Sequence, residues 1–108
     1  MKIVLLHAFP LDERMWDPQL AELADDDVYV PNFYDLGGNS VDGWAEHVLE
    51  RAEGDLVAVG ASLGGYVALA MARAAPQRVK TLLLAGARAT ADPPDRRAAR
   101  KQMIRVVQ

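Results

Sequence analysis

The chain has 108 residues, 51% of them hydrophobic and 25% charged, a balance that fits one small globular domain and excludes a disordered polypeptide. A formal net charge of -3 argues against nucleic acid as the main partner, and the lack of cysteine excludes a disulfide framework and any thiolate metal site. No apolar run reaches the roughly 20 residues that span a bilayer, and the run from Met1 to Leu6 is too short for a secretory leader, so no membrane partner is expected and the cytoplasm is the expected compartment.

The segment Lys2 to His7 holds Ile3, Val4, Leu5 and Leu6 in a row, the pattern of a strand buried on both faces. Pro10 cannot continue a ladder, so the strand ends in His7-Ala8-Phe9-Pro10. Residues 12–24 read as a short helix or a loop plus helix, with Asp12 as the cap, Met15, Trp16, Leu20 and Leu23 as the apolar side, and Pro18 as an interruption. A second strand is expected over Val28 to Tyr34, demoted to an edge position by Pro31. Asp35 to Ser40 reads as a loop because Gly37, Gly38 and Asn39 supply turn conformations. Ser40 is placed to cap a helix over 41–52, in which Val41, Trp44, Ala45, Val48 and Ala52 share one face.

Asp55 to Ala61 is expected as a third strand, and Leu63 to Ala75 as a helix apolar nearly all round, hence deeply buried and stopped by Pro76. Val79 to Leu84 reads as a fourth strand. Asp92, Pro93 and Asp95 then suit the first turn of a last helix. Residues 88–108 carry six basic side chains (Arg88, Arg96, Arg97, Arg100, Lys101 and Arg105) against two acidic ones, whereas the rest of the chain is net acidic. That segment reads as a solvated helix face, with an anion-binding role as the alternative. Its apolar face still runs at Gln108 with no closing residue, which is what a truncated chain would show. Strand and helix alternate four times, the signature of an α/β fold with a mostly parallel sheet of about four strands and helices on both faces.

The sharpest chemical signal is Gly60-Ala61-Ser62-Leu63-Gly64, followed by Gly65, between a buried strand and a buried helix. A nucleophile on a tight strand-to-helix turn sits in a strained backbone conformation, and its neighbours two positions away must lack bulk so that strand and helix can approach. Such a turn lifts the Ser62 hydroxyl beyond the strand ends, over helix amides that favour developing negative charge. Two other readings remain at this point. Ser62 could be a plain N-cap on a glycine-rich turn, or the turn could cradle a phosphate, as in a flavodoxin-like nucleotide binder.

Together with His7-Ala8-Phe9-Pro10 and Asp35-Leu36-Gly37-Gly38-Asn39-Ser40, the Gly60 to Gly64 segment makes the chain resemble the N-terminal half of a serine α/β-hydrolase. Members carry an H-G-x-P segment after an early strand, a D-x-x-G-x-x-S-like loop after the next, and the G-x-S-x-G elbow. The order and spacing match along nearly the whole chain; the departure is Ala8, where glycine is most common.

The resemblance implies Ser62 as nucleophile and the backbone amides of Phe9 and Leu63 as the oxyanion hole, with Gly60 and Gly64 allowing the elbow to form. It gives His7 a structural role ordering the oxyanion loop rather than that of general base, and His47 is expected to be a solvated histidine. It places the strands of residues 2–7 and 55–61 together at the sheet centre, flanked by 28–34 and 79–85, with the crevice between the central pair. The fourth strand would then be an open apolar edge that invites self-association. Residues 88–108 would begin the cap or following helix of the domain.

The reaction implied is hydrolysis of an ester or lactone, with a small-molecule substrate and no metal or organic cofactor. Small bacterial carboxylesterases and enol-lactonases are the nearest likeness. In this family the acid and histidine follow the serine. After Ser62 there is no histidine, so a chain truncated before its acid and histidine, inactive alone, is expected. The alternative is a non-catalytic fragment or binding module that uses the same crevice.

Overall fold

The computed structural model of the chain describes residues 1–85. The cap expected over 88–108, and the helix expected from Asp92, lie outside these described residues. Strand β1 (Lys2–Leu6) leads through a 3-10 turn (Glu13–Trp16) to α1 (Asp17–Glu22) and β2 (Val28–Tyr29). A short α2 (Phe33–Leu36), α3 (Val41–Arg51), β3 (Leu56–Ala61), α4 (Leu63–Ala74) and β4 (Val79–Ala85) follow. The four strands form one sheet in the order β2-β1-β3-β4, and every neighbouring pair is parallel. Leu6 pairs with Gly60 and Ala61 with Ala85, so the strand ends that carry the candidate residues lie level with one another.

Strand alternation sorts the side chains to two faces. Val4, Leu6, Leu56, Ala58 and Leu82 join Ala45, Val48 and Ala52 of the α3 segment, and Val67, Ala68 and Met71 of α4, in the larger core. Leu5 and Ala61 meet Trp16 on the other face, with Met15, Leu20 and Leu23 packed beside them. The sheet is therefore covered from both sides, as the α/β pattern requires. Leu83 faces away from the α4 side and is 41% exposed, so β4 presents an apolar side chain on its open face.

Three local expectations are revised. The second strand pairs only at Val28 and Tyr29, because the Asn32 side chain accepts from the Tyr34 amide and turns Phe33–Leu36 into a helical turn. Asp35 and Leu36 therefore belong to α2 rather than to a loop, and the turn begins at Gly37 and Gly38, both at positive φ. Of the two readings of 12–24 the structure takes the divided one, a 3-10 turn capped by Asp12 followed by a separate α1, and the revision is Pro18, which sits in the first turn of α1, where its missing N–H costs nothing, instead of interrupting a helix. The Arg14 side chain and amide both hydrogen-bond Asp12 and hold its carboxyl below the usual carboxylate range, so what this pair adds to stability is present above that range and lost as acid protonates Asp12.

The Ser40 hydroxyl caps α3 by accepting from the Gly43 amide at 3.0 Å. The other end of α3 is held by a residue that sequence patterning did not single out. Arg78, just before β4, donates to the Leu49 carbonyl at 3.0 Å, to the Gly54 carbonyl at 2.9 Å and to the Ala52 carbonyl. Its own carbonyl accepts from the Leu56 amide. One guanidinium thus fastens the end of α3 to the entry of both β3 and β4. Arg78→Met keeps the aliphatic stem but removes all three bonds, and it should lower stability by about 2–3 kcal/mol in urea unfolding, the range for hydrogen bonds to a charged group.

Candidate active site

The chain leaves β1 for β2 on one side of the sheet and returns to β3 on the other, so the order of strands reverses between β1 and β3. In open α/β sheets this is the crevice where ligands bind, outside the carboxyl ends of the strands. His7, Ala8 and Phe9 follow β1, and Ser62 follows β3. The topology therefore brings the two segments singled out from sequence to the two lips of one crevice.

Ser62 has φ 53° and ψ -113°, and it is the one non-glycine residue at positive φ among the described residues. A serine there costs of order 1–3 kcal/mol and persists only where its surroundings enforce it. The enforcement is visible. The Ser62 amide donates to the Ala85 carbonyl at 3.1 Å, and its carbonyl accepts from Gly65 at 2.9 Å. A Cβ on Gly60 would collide with the backbone of Gly64 and Gly65, and a Cβ on Gly64 would collide with the Leu6 carbonyl and approach the His7 carbonyl to 2.8 Å. Backbone thus packs directly on backbone on both sides of the serine.

Ser62 occupies the N-cap position of α4, yet its side chain makes no capping hydrogen bond and the residue is exposed. A serine serving only as a cap would turn its hydroxyl onto the helix amides. The amide of Leu63, first in the helix, has no intrahelical partner by construction and no acceptor among the described residues.

The opposite lip is tied down by His7, which is fully buried. Its Nε2 accepts from the Phe33 amide at 3.0 Å, so the ring hydrogen is on Nδ1, which donates to the Ala8 carbonyl at 2.9 Å. Both ring nitrogens are engaged, and neither is left to receive a proton from Ser62. The ring also packs on Phe33, with centroids 4.4 Å apart. His7→Phe would fill the space but leave the buried Phe33 amide without an acceptor, and an expected loss of about 2–3 kcal/mol is readable from the urea midpoint.

In the same loop the Ala8 amide donates to Met15 Sδ at 3.2 Å, and Pro10 has no amide. The Phe9 amide has no acceptor among the described residues. The Phe9 side chain is 63% exposed and lies near Tyr34, with ring centroids 6.4 Å apart. His47 departs from its expectation. It is only partly exposed, its Nδ1 is buried without a hydrogen-bond partner, and Gly38 lies against its ring. The glycine turn that follows α2 folds over this side of α3, which the helical wheel of α3 alone does not show.

Among the described residues no group of His, Asp and Glu is arranged to hold a metal ion, and no helix is long and apolar enough to cross a membrane.

Fold and site together define a doubly wound α/β protein with a strained serine at the switch point. Residues 3–107 match the alpha/beta hydrolase family, and the chain belongs to that family. It is 39% identical to the pimeloyl-[acyl-carrier protein] methyl ester esterase of Klebsiella pneumoniae (strain 342), in a match covering 75% of this chain and 34% of that protein. The structure is similar to a thermophilic esterase from Thermogutta terrifontis, with a TM-score of 0.72 and 33% identity, covering 94% of this chain and 42% of that one. It is also similar to Est816, described as an N-acyl homoserine lactone degrading enzyme, with a TM-score of 0.73 and 26% identity over 94% of this chain and 45% of the other. The chain spans about a third of the length of the curated relatives it matches.

Proposed function

We propose that this chain supplies the nucleophilic half of an esterase or lactonase site. Ser62 attacks the ester carbonyl, and the amides of Phe9 and Leu63 receive the oxygen that becomes negative. The observation that carries this reading is the backbone of Ser62, strained at positive φ with its hydroxyl uncommitted among the described residues. Two amides without acceptors among the described residues, at the lips of the same crevice, support it, since preorganised donors aimed at a developing charge are typically the largest catalytic term. His7 acts here as the tie that shapes the oxyanion loop. The substrate is a small ester or lactone, the bond class named for the relatives, and the exposed apolar side chains of Phe9, Leu11 and Tyr34 suit an apolar acyl or alcohol group.

Attack needs a base for the Ser62 proton. Both nitrogens of His7 are engaged, His47 sits on α3 with its Nδ1 buried, and no histidine follows Ser62. In the esterase reading the base and its acid partner are therefore supplied by residues other than these. The histidine count equally favours a second reading, a binding module that uses the crevice without chemistry.

A fluorophosphonate probe separates the two in the protein as its host makes it. In the esterase reading Ser62 Oγ forms a bond to phosphorus, the P–F bond breaks, fluoride leaves, and the serine proton goes to the base. Peptide mass spectrometry should then find the adduct on Ser62. A folded, unlabelled protein would establish the binding module instead.

A further inference from the structure

We propose that Tyr34 is a positioning residue for the Phe9 amide, holding the oxyanion loop through the carbonyl of Leu11. The inference rests on the reading of Phe9 as an oxyanion donor. The loop between β1 and the 3-10 turn is tied at its start, where Ala8 uses its amide on Met15 Sδ and its carbonyl on His7 Nδ1. Its far end is tied by the Tyr34 hydroxyl, which donates to the Leu11 carbonyl at 2.9 Å. Phe9 lies between these ties, next to Pro10, whose ring limits the backbone further.

Tyr34 is itself rooted. Its amide donates to Asn32 Oδ1 at 2.8 Å, and the Asn32 amide group reaches across to Glu13 in the 3-10 turn. Its ring lies 5.5 Å from that of His7 and 6.4 Å from that of Phe9. Two successive residues of α2 therefore fasten the loop from the same side, Phe33 through His7 and Tyr34 through Leu11.

The placement of this bond says what it is for. Tyr34 is 53% exposed, so its hydroxyl is not needed to satisfy a buried group, and water can take its place with little change in stability. Orientation of an oxyanion donor is far more sensitive, because the donor works only if it already points where charge develops. Loss of the hydroxyl should thus affect reaction at Ser62 and leave folding almost untouched.

The test is the kinetics of fluorophosphonate labelling in the native protein, comparing wild type, Ser62→Ala, Tyr34→Phe and Tyr34→Ala. Tyr34→Phe should lower the maximal labelling rate by about tenfold, a part of the 100-fold or more lost when a donor is removed outright. Its half-saturating probe concentration should stay within about twofold and its thermal midpoint should not move. Tyr34→Ala also removes the ring from His7 and Phe9, and should fall at least as far in rate with a lower midpoint. A wild-type rate in Tyr34→Phe, with Ser62→Ala unlabelled, overturns the role of Tyr34 and leaves the serine reading standing. A change confined to half-saturation overturns it too, since it would make Tyr34 a probe contact. Labelling that persists in Ser62→Ala overturns the serine reading, and this inference with it.

Discussion

Ser62→Ala should abolish fluorophosphonate labelling and reduce ester turnover in the native protein by roughly a millionfold, the scale seen when a serine nucleophile is removed from a hydrolase. The residual rate would be that of an oxyanion hole and crevice acting on water. The same position allows a sharper test, because the strain at Ser62 has a sign. At φ 53° and ψ -113° an L-residue is disfavoured and glycine is not. Ser62→Gly should be as inactive as Ser62→Ala yet more stable than wild type by about 1–2 kcal/mol, within the range for a residue held at a sparsely populated backbone conformation. Activity and urea unfolding measured on the same variants would show the two effects moving in opposite directions. A serine kept only to cap α4 would produce the reverse, with Ser62→Gly and Ser62→Ala both neutral or destabilising and turnover retained.

Gly64→Ala is the second change with a large expected effect. A methyl group at Gly64 would overlap the carbonyl of Leu6 and crowd that of His7, both of them backbone atoms at the end of the central strand. No side chain can rotate away to make room, so α4 must lift off β1, and the larger core must open with it. Met71, Val67 and Ala68 on α4 are almost wholly buried against that sheet. A loss of about 4 kcal/mol or more is expected, at the severe end of single substitutions. The measurement is the thermal or urea midpoint, and the variant should also lose reactivity at Ser62 because the elbow is displaced. Gly37→Ala makes a useful control. It has nothing within 4 Å of an added Cβ, so its penalty should come from positive φ alone.

The strands and the main helices were legible because their signals are local and strong. Ile3 to Leu6 and Leu56 to Ala61 are short apolar runs between breakers, and α3 shows its buried face at helical spacing. The elbow was legible for a different reason: small residues on both sides of a serine leave few backbone solutions between a strand and a helix. Where the reading failed, a side chain acted across the chain or an unlike local bond won. Phe33 to Leu36 has strand-like composition in its aromatics, but the Asn32 cap and the buried bond from the Phe33 amide to His7 draw it into a helical turn. Arg78 reads as one more exposed cation until the fold sets it beside three carbonyls.

Taken alone, the order of residues determined the α/β class, the parallel strand arrangement and the serine at the turn, because period, breakers and short motifs act over short distances, and three such segments made the chain resemble a hydrolase family. Only the tertiary structure decided what depends on groups far apart in the chain. It showed which amide of the loop after β1 is already used, that both nitrogens of His7 are committed, and that Tyr34 reaches back to Leu11. The bonds from the Phe33 amide to His7 and from Tyr34 to Leu11 join residues more than twenty positions apart, and no local pattern carries them, since the partner is chosen by the packing of whole elements rather than by neighbours in sequence.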